Sequence, residues 1–88
     1  MKKLVNVTEV SGEGFEKFIG EKLTVFCFNY IYTGTLTGIN DSYIQLTDAM
    51  VVYETGPFNE KNWKDAQPVS KEWYIMISAV ESFGYVKG

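Results

Sequence analysis

Residues 23–41 read LTVFCFNYIYTGTLTGIND, and their pattern decides the class of fold. Leu23 to Phe28 is dense in β-forming residues, with Leu23, Val25 and Cys27 on one face and Phe26 and Phe28 on the other. Apolar side chains on both faces of an alternating run predict a strand packed on two sides. Asn29-Tyr30 predicts a tight turn, and residues 31–39 a long second strand that carries Gly34 and Gly38. A glycine inside a strand marks a sharp bend or a close approach of backbone. Two of them in one strand let it curl enough to serve both halves of a small barrel.

Upstream, Leu4 to Val10 suits a short strand or an extended arm, and Ser11-Gly12-Glu13-Gly14 breaks it. Phe15, Phe18 and Ile19 recur at helical spacing and Gly20 stands where a C-terminal cap would sit, so residues 14–19 predict a short helix or a single helical turn. Downstream, Asn40-Asp41-Ser42 is a turn and Tyr43 to Leu46 a strand. Thr47-Asp48-Ala49 interrupts the alternation, which Met50 to Tyr53 resumes. Residues 54–71 hold both prolines, Pro57 and Pro68, together with Gly56 and Trp63, and predict a long loop between the third and fourth strands. Residues 73–77 (WYIMI) and 79–86 (AVESFGYV) supply the last two strands. Short strands, tight turns and glycine bends predict an all-β fold, a small, strongly bent, five-stranded antiparallel barrel behind a short N-terminal helix. Its core should contain Leu23, Val25, Leu36, Ile44, Leu46, Ile75, Ile77 and Val80.

Eighty-eight residues, 45% of them hydrophobic and 16% aromatic, make a single domain over residues 1–88. The eight basic residues are all lysine, and no histidine or arginine occurs. Against eleven acids the net charge is −3, with a pI near 4.8. Such a surface repels phosphate backbones and lacks the guanidinium fork that holds them, so duplex DNA is excluded as a partner. Without histidine there is no histidine-dependent triad, and with one cysteine no thiolate zinc site. Asp41, Asp48 and Glu54 are spaced as turn and strand residues rather than as a calcium loop. Cys27 reads as a small apolar residue within its strand. The expectation is a protein that is not an enzyme, with no catalytic residue, no metal and no cofactor. No apolar stretch reaches membrane-spanning length and no leader follows Lys2-Lys3, which predicts a cytoplasmic protein without membrane contact.

A family resemblance follows from the order of these pieces. A helical turn and Gly20, then LTVFCFN, then G-x-L-x-G-x-N-D (Gly34, Leu36, Gly38, Asn40, Asp41) come first. YIQLTDA with Leu46, Asp48 and Ala49, a variable insert, and I-S-A-V-x-x-F (Ile77 to Phe83) complete the series. Over residues 15–83 this resembles the Sm-like family, which includes the Sm and Lsm proteins and the bacterial RNA chaperone Hfq. The resemblance implies an SH3-like barrel that closes into homo-oligomeric rings, its fourth strand pairing with the fifth strand of the next subunit. It also implies single-stranded RNA bound by two loops, which here would place Asn40, Asp41, Ser42, Tyr43 and Ser78 at the RNA. Tyr74, Met76 and Phe83 would lie at the subunit interface.

The departures bear directly on function. The family's base-contacting asparagine falls on Tyr43 or Ile44, and its stacking residue at or beside Ser42. The Sm arginine and glycine fall on Met76 and Ile77, and the Hfq lysine and histidine on Tyr74 and Ile75. Two expectations therefore stand side by side. One is an Sm-like ring that binds single-stranded RNA weakly, with Tyr43 stacking a base. The other is an oligomeric scaffold or protein-interaction module of the same fold without RNA binding, in which Tyr43 packs on the rim and Asn40-Asp41 only makes the turn. Trp63, between Lys61 and Lys64, suits a nucleic-acid or protein contact or a ring folded back on the barrel.

Overall fold

The computed structural model describes residues 14–87 of the chain. The expected strand or arm at residues 4–10 lies outside the described residues. The predicted helix is a 3₁₀ turn, Gly14–Phe18, ending ahead of Gly20, whose φ of 93° only glycine adopts readily. Six strands follow: β1 (Lys22–Cys27), β2 (Ile31–Ile39), β3 (Tyr43–Glu54), β4 (Asp65–Pro68), β5 (Glu72–Met76) and β6 (Val80–Gly84). A second 3₁₀ turn, Ile77–Ala79, joins β5 to β6. All pairings are antiparallel, in the order β4-β3-β2-β1-β6, with β5 also on β3.

Two points depart from the expected five-stranded barrel. The loop expected at 54–71 contains β4, whose Asp-Ala-Gln-Pro sequence has no apolar alternation to announce it. It forms because β3 offers it a partner edge, with Met50 opposite Pro68 and Val52 opposite Ala66. Pro68 is tolerated because it ends an edge strand. The sheet is also not closed, since β5 and β6 each pair on one side alone among the described residues.

The bend that makes this possible lies in β3. Thr47-Asp48-Ala49 is a bulge within one continuous strand, not a break. Between the pairs Thr33↔Met50 and Thr35↔Thr47, β3 uses one residue more than β2. Asp48 adopts φ 54°, a conformation that aspartate tolerates better than most residues, and its N–H donates to the Lys71 carbonyl at 2.6 Å. The kink splits one edge of β3 in two: residues 43–47 pair with β5 and residues 50–54 with β4. Gly34 sits against the bulge. A Cβ there would lie 3.1 Å from the Thr47 carbonyl oxygen and 3.2 Å from the Ala49 Cα. Gly38 differs, because a Cβ there would meet the mobile end of the Gln45 side chain.

The core unites Leu23, Val25, Leu36, Ile44, Leu46, Ala49 and Ile75, all nearly inaccessible to solvent. Ile77 and Val80, expected inside, are half-buried and pack against it. Leu23 and Val25 of β1 enter the core as expected, but its other face is not the covered apolar one that Phe26 and Phe28 suggested. Phe26 is half-buried, Phe28 is exposed beyond the strand's end, and the buried residues there are Thr24 and Thr33, which line a hollow with residues 85–87. The Thr33 hydroxyl donates to the Leu23 carbonyl at 3.0 Å.

Candidate functional site

The turn after β2 is built by Asn40. Its side-chain oxygen accepts from the Ser42 N–H at 2.7 Å and the Tyr43 N–H at 2.9 Å, and its own N–H donates to the Tyr43 carbonyl at 3.0 Å. Its amide oxygen is thus committed to shaping the backbone. The Ile77 N–H donates to the Ser42 carbonyl at 2.8 Å, which sets the 3₁₀ turn and Ser78 beside the 40–43 turn. So Asn40, Asp41, Ser42, Tyr43 and Ser78, distant in sequence, form one neighbourhood. Its sole charge is the Asp41 carboxylate.

Tyr43 is 39% exposed and meets Tyr74 edge to face, with ring centroids 5.5 Å apart and planes at 85°. Tyr43 lies opposite Met76, and Gln45 opposite Tyr74. The Gln45 amide donates to the Tyr74 hydroxyl at 3.3 Å. Tyr74 and Met76, at 55% and 53%, are exposed on β5, whose other edge has no strand partner among the described residues. Phe83 is elsewhere. It lies on β6 rather than β5, is half-buried against the core and meets Phe18 edge to face at 5.2 Å.

One group was not legible as a site. Strand parity turns Tyr32 inward with Leu36, and Trp73 inward with Ile75, so the two rings meet at one end of the core. Burial raises the Tyr32 phenol above its ordinary pKa. Tyr30, Tyr32 and Trp73 form a series with centroids 6.3 Å apart at each step and planes tilted by 55° and then 34°. With Phe28, Tyr74 and Met76 they line a groove of about 280 Å³. Cys27 also lines it, and burial raises its thiol pKa, which keeps it in the unreactive protonated form. The spacing Tyr30, Tyr32 was visible in the sequence, but its convergence with Trp73 needs the curl of the sheet.

The Trp63 segment folds back on the domain. The cation on its ring is Lys87, 5.2 Å from the centroid, rather than Lys61 or Lys64 beside it in sequence. The Lys87 ammonium also donates to the Pro57 carbonyl, while Lys64 pairs with Glu54 at 3.5 Å on the open surface. The Trp63 indole N–H is buried without an acceptor among the described residues. Among the described residues no cluster of side chains could hold a metal ion, and no helix is long and apolar enough to cross a membrane.

No protein-family model matches the chain, and no curated protein is significantly similar to it.

Proposed function

We propose that this chain is a self-assembling subunit of the Sm-like kind, acting as an oligomeric scaffold whose β5 edge pairs with β6 of the next copy. The observation that carries this is that β5 and β6 each have only one strand partner among the described residues, with Tyr74 and Met76 more than half exposed on the first. Open edges template further pairing, and proteins seldom leave an apolar one uncovered. Two unlike edges make a head-to-tail contact, which closes into a ring or runs on as a filament. The run β6-β1-β2-β3-β5, with the kinked third strand and Gly34 packed on it, supports the Sm-like part; β4 is then an addition on the outer half of β3. Sedimentation at micromolar concentration tests the assembly. A closed oligomer is expected, and a monomer would end the proposal.

Weak binding of single-stranded RNA is the second reading, favoured by the Ile77-to-Ser42 hydrogen bond that joins the two loops. Tyr43 would offer a stacking face there. The scaffold stands first because no lysine lies among Asn40, Asp41, Ser42, Tyr43 and Ser78, while Asp41 repels phosphate. Titration with oligo-U and oligo-A at low salt separates the two. Binding that weakens steeply with salt and is lost in Tyr43→Ala would put RNA first, and no binding leaves the scaffold alone.

A further inference from the structure

We propose that residues 85–87 are a two-position strap: in one position Lys87 latches them to the segment 57–63, and in the other they lengthen β6 along β1. The latched position is the one seen here. Beyond Gly84 the chain leaves β6 and lines a hollow with Lys22, Thr24 and Thr33. Thr24 alternates with the core residues Leu23 and Val25, so the strap crosses β1 and β2 on the face turned away from the core. Its end reaches the segment after β3. The Lys87 ammonium lies 5.2 Å from the centre of the Trp63 ring and donates to the Pro57 carbonyl. Both contacts draw on the positive charge of that one group.

The register of β1 supplies the second position. Thr24 opposite Gly84 is the last pair between β1 and β6, while Lys22 and Leu23 pair with β2 alone among the described residues. Continued by two residues, the same register sets Tyr85 opposite Leu23 and Val86 opposite Lys22. Both are β-formers, and in the strap they are 61% and 40% exposed. The latch also carries a cost that keeps it releasable, since the Trp63 indole N–H is buried there without an acceptor among the described residues. A segment with two alternative sets of partners is the element from which switches are made. What this one sets is the length of the β6 edge, which ends at Gly84 when the strap is latched and at Val86 when it is released. The strap does not rest on the assembly proposed above, because every contact named lies within one chain.

The test is amide hydrogen exchange of the full chain, read residue by residue by NMR, in Lys87→Met and Lys87→Arg. Lys87 is half-buried and lies outside every strand, so both variants should fold, which circular dichroism checks. Lys87→Met removes the cation and keeps an apolar stem. In it the amides of residues 58–63 should exchange several-fold faster. The amide of Tyr85 or Val86, whichever faces β1, should exchange several-fold more slowly, because it gains a strand partner. Lys87→Arg keeps the charge and should match the unaltered chain at both places. Unchanged exchange at 58–63 in Lys87→Met would overturn the latch. Faster exchange at both Tyr85 and Val86 would overturn the second position, since the strap would then only fray. If Lys87→Arg behaves as Lys87→Met does, charge is not what holds the strap, and the proposal fails.

Discussion

The middle of β3 and the β5 edge beside its N-terminal half are held in opposite ways. At the kink, a Cβ on Gly34 would sit 3.1–3.2 Å from Thr47, Ala49 and Leu46, closer than side chains normally approach, and the backbone itself supplies two of these three contacts. Across the N-terminal half of the same strand, β5 carries Tyr74 and Met76 into solvent, and its far edge has no strand partner among the described residues. The first region is specified from within the chain, whereas the second is, on the assembly proposed above, completed by the next copy. Sensitivity to mutation should therefore appear as lost folding at the kink and as lost association at the edge.

The largest effect is expected at the kink. Gly34→Val should abolish folding, because the new side chain meets backbone that cannot swing away. Thr35→Val, one residue along and half-buried, should be mild, as should Gly38→Ala, where the end of Gln45 can move aside. Circular dichroism and thermal melts would measure this, and equal tolerance at Gly34 and Thr35 would mean that the close approach is not what holds the bend.

Next comes Leu36→Ala. Leu36 has no accessible surface and sits in the cluster that joins β1, β2, β3 and β5. A loss of about 2–5 kcal/mol is expected in chemical denaturation. A change near zero would place the centre of the core elsewhere.

The smallest effect on stability belongs to the edge. Tyr74→Lys combined with Met76→Glu replaces two exposed side chains, and should change subunit stability by less than about 1 kcal/mol. The same variant should reduce the sedimenting species to a smaller, folded one. If instead it unfolds, the outer face of β5 matters to the subunit itself and the contrast between the two regions fails.

Much of the kink could be read from the sequence. Gly34 within an alternating run announced a bend, and the parity of Leu23, Val25, Leu36, Ile44, Leu46 and Ile75 placed them correctly inside. The neighbouring Thr47-Asp48-Ala49 was legible as an interruption of the alternation, but not as a bulge that divides one edge of the strand between two partners, because a bulge and a break both interrupt alternation. They differ only in whether a partner strand holds the register across them. β4 escaped for a related reason, being a strand through β3's free edge rather than through any propensity of its own. Phe83 packs against Phe18, a contact between segments far apart in the chain that the strand pattern alone did not show.

The sequence by itself determined a small all-β domain without histidine or arginine, a glycine-bent second strand, and most of the core. These follow from composition and from a period of two, which are local properties of the chain. Only the tertiary structure decided that β3 serves two strands along one edge, that Ser78 lies beside the 40–43 turn, and that Trp73 meets Tyr32 and Tyr30 around one groove. Each of these depends on how far the sheet curls and in which register its strands pair. Those quantities are set by contacts between segments far apart in the chain, which no local pattern encodes.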